Sequence, residues 1–135
     1  MINTTSREDL MKLINHFRQE VMSWRSRFLV HKGSRFISIA VEDIAMIYTR
    51  DRGHYIKTFS GDDYQIDTNL DRLEEELNPS DFYRVNRQFI LNYRSIDQVL
   101  AWFDGKLKVT VKPAGYEDII ISRLKATDFK VWLGK

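Results

Sequence analysis

The sequence predicts one mostly-β domain preceded by an amphipathic helix, with a short internal helix and a C-terminal helix. Three observations carry this. Apolar residues recur every third or fourth position from about residue 7 to 25, then switch to alternation beyond Arg27. Turn-forming clusters interrupt the alternating part at short intervals. With 43% hydrophobic and 30% charged residues, a chain of 135 has the composition of a single domain with its own core.

The elements follow in order. Leu10, Leu13, Ile14, Phe17, Val21 and Trp24 share one helical face, with Thr5 and Glu8 as a capping box and Ser6 as a second cap. Phe36 to Val41 alternates, and Ile44 to Tyr48 continues as an apolar run. Asp51-Arg52-Gly53 reads as a turn into a strand from His54 to Phe59. Ser60-Gly61-Asp62-Asp63 turns into Tyr64-Gln65-Ile66. Thr68 opens a short helix with Leu70, Leu73 and Leu77 inward, ended by Asn78-Pro79. Strands are expected at Phe82–Val85, Phe89–Leu91 and Ile96–Phe103, with Asp104-Gly105 as a hairpin turn. Lys106 to Lys112 alternates, with its odd positions buried, and Glu117 to Ile121 makes the last strand. Ser122 then caps a helix whose apolar residues are Leu124, Phe129, Val131, Trp132 and Leu133, with Gly134 as its stop.

Several chemistries are not signalled. There is no cysteine, so disulfides and thiolate chemistry are excluded. His16, His31 and His54 lack metal-ligand spacing, and neither a phosphate-cradling glycine loop nor a nucleophile elbow occurs. No enzymatic activity, metal or cofactor is expected. No apolar run nears the ~20 residues of a membrane span, and no secretory signal is visible, so a cytoplasmic location is expected. The net charge of +2 conceals segregation: residues 61–81 hold eight acids and one base, and the remainder is strongly basic. Such a chain can turn a basic face to a polyanion.

Three segments carry side chains suited to reading duplex DNA: Arg50-Asp51-Arg52-Gly53-His54, Arg84-Val85-Asn86-Arg87-Gln88 and Ser122-Arg123-Leu124-Lys125. Arg donates two parallel hydrogen bonds to guanine, and Asn or Gln does the same for adenine. A helix N-terminus offers N–H groups to a phosphate. A single arginine-rich loop is more often solvated surface than a DNA contact, and Asn86 alone is explained by a turn.

The run Phe82-Tyr83-Arg84-Val85-Asn86-Arg87-Gln88-Phe89-Ile90-Leu91-Asn92 resembles the signature of the LytTR DNA-binding domain. Val41-Glu42-Asp43-Ile44 resembles that family's opening, and the likeness extends from residue 28 to about 133. The resemblance implies an elongated stack of small antiparallel β-sheets. It also implies a bacterial response-regulator output domain that inserts loop side chains into the major groove of direct-repeat sites, as a homodimer. On that basis the domain spans residues 28–135, and residues 1–27 form a linker helix. Base contacts fall on His54, Asn86, Arg87 and Arg123, and phosphate contacts on Arg50, Arg52, Arg84 and Lys125. Asn86-Arg87 departs from members that carry a His followed by a small polar or basic residue. A receiver domain often precedes such a part, and 27 residues cannot hold one. The first helix is then expected to dimerise, to meet a further domain, or to fold back on its own β body. The alternative function is a protein-interaction or ligand-sensing β domain without DNA binding.

Overall fold

The computed structural model describes residues 6–134, without the side chains of residues 18–22. Helix α1 (Arg7–Met22) is followed by strands β1 (Arg27–Lys32), β2 (Arg35–Ala40), β3 (Ile44–Arg50), β4 (Gly53–Thr58) and β5 (Asp63–Ile66). Helix α2 (Leu70–Glu76) precedes β6 (Phe82–Arg84), β7 (Phe89–Asn92), β8 (Ile96–Ala101), β9 (Leu107–Val111) and β10 (Ile119–Ile121), and α3 (Arg123–Leu133) closes the chain. The strands form three antiparallel sheets: β1-β2, β5-β4-β3-β7-β6 and β10-β9-β8. This is the expected stack of small sheets.

The five-stranded sheet lies in the middle and buries both faces. On one side Ile47, Ile56 and Ile90 pack with Phe28 and Val30 of β1, with Leu70 and Leu73 of α2 and with Leu77, which follows that helix. On the other, Met46, Tyr48, Phe89 and Leu91 pack with Val109, Ile119 and Ile121 and with Phe129 and Trp132 of α3. A strand buried on both faces needs no alternation, which is why residues 44 to 48 read as a continuous apolar run. A register shift between Ile44 and Met46 re-aims the two ends of that run.

Several expectations are corrected. β1 has no counterpart among the expected strands: Phe28 and Val30 are buried but Leu29 between them is 68% exposed, so Phe28-Leu29-Val30 carries no visible alternation. Asn69, not Thr68, caps α2, its side chain accepting from the Arg72 N–H at 2.9 Å. β8 ends at Ala101, and Phe103–Gly105 forms a tight turn in which Asp104 and Gly105 take left-handed φ values of 56° and 77°. The last strand begins at Ile119 rather than Glu117. On α3, Leu124 and Val131 are exposed, and Ala126 takes the buried position three residues before Phe129. Ser122 precedes α3, but its hydroxyl makes no capping bond.

α1 ends before Trp24. Ser6 caps it, accepting the Asp9 N–H at 3.1 Å, whereas Thr5 of the expected capping box lies outside the described residues. Leu10, Leu13, Ile14 and Phe17 are exposed by 41–66%, so these side chains do not pack on the β body. The Val21 side chain lies outside the described residues. No helix among the described residues is long and apolar enough to cross a membrane.

Candidate nucleic-acid interface

The three arginine-bearing segments meet at one end of the central sheet. β3 pairs with β4 so that Thr49 lies opposite His54, and His54 opposite Ile66 of β5. The Thr49 N–H donates to the Gln88 carbonyl at 2.9 Å, which lays the 85–88 loop against the same end. Asn86 then reaches the third segment: its Nδ2 donates to the Ile120 carbonyl of β10 at 2.9 Å, three residues before Arg123. One asparagine therefore joins a loop of the five-stranded sheet to the strand that feeds α3.

The turn from β3 to β4 is made by Asp51 and Arg52, at φ 49° and 68°. Gly53 is needed for a different reason than turning: a Cβ there would lie 2.7 Å from the Tyr55 hydroxyl. Beyond the turn, Thr49 Oγ1 and His54 Nδ1 are 3.1 Å apart, so both side chains leave the sheet on one face. Arg50, one residue on, leaves on the opposite face. Its guanidinium lies 4.4 Å from the centre of the Tyr116 ring, and its Nε stands 3.9 Å from the exposed Asp51 carboxylate, a long distance for an ion pair.

The 85–88 loop is held from inside. Asn86 Oδ1 accepts from the N–H groups of Gln88 at 2.8 Å and Phe89 at 3.0 Å. Arg84 lies beneath with a nearly buried side chain, donating to the carbonyls of Asn86 and Arg87, each at 3.1 Å. Its charge is met by Asp71 and by Glu74 at 3.2 Å, both on α2. This contact holds the Asp71 carboxyl below the usual carboxylate range, with a smaller effect in the same direction from Arg87. Arg87 itself is exposed at the tip.

At the third segment, Arg123 and Lys125 are exposed in the first turn of α3. The stem of Arg123 lies over Gly105, where a Cβ would stand 2.8 Å from the Arg123 Cγ and Cδ. Gly105, at φ 77°, thus serves both the hairpin turn and the bed on which this arginine rests.

Sequence reasoning missed two features. The acidic helix does not lie away from the basic residues; Asp71 and Glu74 grip Arg84 under the loop. Asp63 anchors a second cluster, accepting from the Tyr48 hydroxyl at 2.7 Å, Lys57 Nζ at 3.0 Å and the Tyr116 hydroxyl at 2.9 Å. Burial pushes the Asp63 carboxyl up, but these three donors outweigh it and hold it below its ordinary range. Burial and the same carboxylate push the Tyr48 phenol above its ordinary value. No local motif announces this cluster, since Tyr116 and Asp63 are far apart in sequence.

Comparison with known proteins gives a consistent result. The family model for the LytTr DNA-binding domain matches residues 34–134. The sensory transduction protein LytT of Bacillus subtilis is 30% identical over 98 residues, 73% of this chain and 39% of that protein. LytT of Oceanobacillus iheyensis is 26% identical over 100 residues, 74% of this chain and 41% of that protein. An uncharacterised response regulatory protein of Vibrio cholerae is 25% identical over 116 residues, 81% of this chain and 44% of that protein. The chain thus spans less than half the length of these relatives. Among solved structures, a LytTr DNA-binding domain from Bacillus cereus superposes with a TM-score of 0.70 at 18% identity, over 82% of this chain and 99% of that one, a likeness of fold.

Proposed function

This chain belongs to the LytTr DNA-binding domain family, and we propose that it is the output part of a longer response regulator, reading duplex DNA with the loops at one end of its central sheet. The observation that carries the reading is the attachment of the 85–88 loop on both sides, by the Thr49 N–H to the Gln88 carbonyl and by Asn86 to the Ile120 carbonyl, which sets the loop beside the 50–54 and 122–125 segments. A stiff scaffold with exposed cationic tips suits groove binding.

The roles proposed differ at two positions from those the family resemblance implies. Arg87, Arg123 and His54 are the proposed base contacts; Arg50, Arg52 and Lys125 meet phosphates. Arg84 is reassigned, because two carboxylates already match its charge and its N–H groups hold the loop carbonyls. Asn86 is reassigned too, since both acceptor positions and one donor are used within the protein. Both become positioning residues.

The partners proposed are a direct-repeat duplex, a second copy of the chain and, in a longer protein, a receiver domain ahead of α1. The spacing of Leu10, Ile14, Phe17 and Val21 is that of a coiled-coil seam, which supports α1 as a dimer contact. Residues 1–27 then act as linker and residues 28–135 as the domain, in the cytoplasm and without catalytic activity.

Selection of sites from random duplex DNA, followed by binding over a salt series, tests this. Three phosphate contacts give a log–log slope of about −3 or steeper. A flat response, or no enrichment of any sequence, refutes it and favours a protein-interaction domain.

A further inference from the structure

Tyr116 is an exposed aromatic on the 113–118 loop, outside all three reading segments, yet it is held firmly. Its hydroxyl donates to Asp63 Oδ2 at 2.9 Å, the oxygen that also receives Lys57 Nζ. Asp63 is fixed in turn by the Tyr48 hydroxyl, and the Tyr48 ring lies 6.1 Å from that of Tyr116. Lys57 is buried, so the carboxylate cannot leave without stranding an ammonium in the core. The ring of Tyr116 therefore has a fixed place, and Arg50 rests on it at 4.4 Å.

We infer that Tyr116 is a positioning residue for DNA binding: its ring, tethered through Asp63, holds the Arg50 guanidinium at the rim of the interface where a backbone phosphate passes. The inference rests on the DNA-reading function proposed above. A free arginine side chain loses rotamer entropy when it is fixed on a ligand, and a cation already stacked on an anchored ring loses less. The two exposed arginines of this region differ accordingly. Arg52, in the turn, has no side-chain partner among the described residues, whereas Arg50 is placed by a ring with its own ion-paired foundation. The charge of Arg50 remains available for a phosphate: its one ion pair among the described residues is the long contact to Asp51, whose side chain is 91% exposed.

The test is a coupling measurement on a labelled duplex carrying a selected site. Binding is followed over a salt series for Arg50→Ala, Tyr116→Leu, their combination, and Tyr116→Phe. Arg50→Ala is expected to weaken binding and to reduce the salt slope by about 0.9. Tyr116→Leu is expected to weaken binding about two- to fivefold, with Arg50→Ala costing clearly less on that background. Tyr116→Phe keeps the ring but loses its tether to Asp63, so its affinity and its coupling to Arg50 should lie between those of the parent and of Tyr116→Leu. If melting curves find Tyr116→Leu unfolded, Arg50→Lys serves instead. It keeps the charge and loses the planar stack, so affinity falls while the slope stays unchanged; undiminished affinity overturns the inference. Losses that simply add, or a Tyr116→Leu variant binding as well as the parent or better, also overturn it and leave DNA reading standing. A parent protein that binds no duplex in a salt-dependent way removes both.

Discussion

Replacing Asn86 by Ala separates two readings of this residue. The substitution deletes one donor and one doubly used acceptor, leaving the Ile120 carbonyl and the Gln88 and Phe89 N–H groups without their partners. A neutral hydrogen bond contributes about 1 kcal/mol net. Gln88 is exposed, so water takes over its N–H at little cost, whereas the Phe89 N–H and the Ile120 carbonyl are less easily solvated. The expected loss is therefore about 2 kcal/mol of folding stability. For a domain of this size that lowers the melting temperature by roughly 6–8 °C. Urea denaturation and calorimetry measure the loss, and binding to selected and mutated duplexes measures the effect on reading. Duplex affinity should fall because the loop carrying Arg87 is released from β10, with no A·T pair losing its preference. Asn86→Asp keeps the two acceptor contacts and should recover about half of the stability. An Asn86→Ala protein as stable as the parent, with relaxed preference at one A·T pair, would refute the reasoning and make Asn86 a base reader.

Other expectations follow from the same geometry. Arg87→Ala should cost roughly 1–3 kcal/mol on the selected duplex and much less on random DNA; equal losses on both would make Arg87 a phosphate contact. Asp63 titrates below its ordinary range, so it adds stability that is fully present above the unfolded carboxylate value and is lost as pH falls through its folded value. Asp63→Asn should therefore flatten the decline in stability as pH falls through and below the ordinary carboxylate range, and an unchanged decline in urea midpoints would exclude that role. Phe17→Asp places a charge on the exposed α1 seam and should shift sedimentation towards monomer without lowering the melting temperature of the β body. Loss of β-body stability would mean that α1 packs on it.

Much of the architecture is legible because local pattern and tertiary demand agree. Residues 107–111 alternate in sequence and alternate in burial, since one face meets α3 and the other meets solvent. The spacing of Leu70, Leu73 and Leu77 likewise fixes the inner side of α2. Legibility fails where the demand comes from a distant element. β1 is half-buried only because α2 and the central sheet cover Phe28 and Val30, and nothing in Phe28-Leu29-Val30 marks the exposed middle residue. On α3, Leu124 and Val131 are apolar without being covered, so residue type misleads while the helical phase of Ala126, Phe129 and Trp132 is right.

The same contrast governs the candidate site. Residue types and the family signature suffice to find which loops matter, because arginine, asparagine and glycine in short strand connections have a limited repertoire. They do not say which polar side chain faces outward. Arg84 ends β6 and Arg87 lies three residues on at the tip of the loop that follows, yet only Arg84 meets Asp71 and Glu74, and that choice depends on where α2 docks. Asn86 looks as capable of reading adenine as any asparagine until Ile120 is placed beside it. Tyr116 carries no signal at all, since its partner Asp63 is 53 positions away. A loop that must hold its shape while its tip enters a groove needs polar groups directed inward as well as outward. The inward ones satisfy buried backbone groups and charges, and for that reason a motif of polar residues overstates the number that meet a ligand.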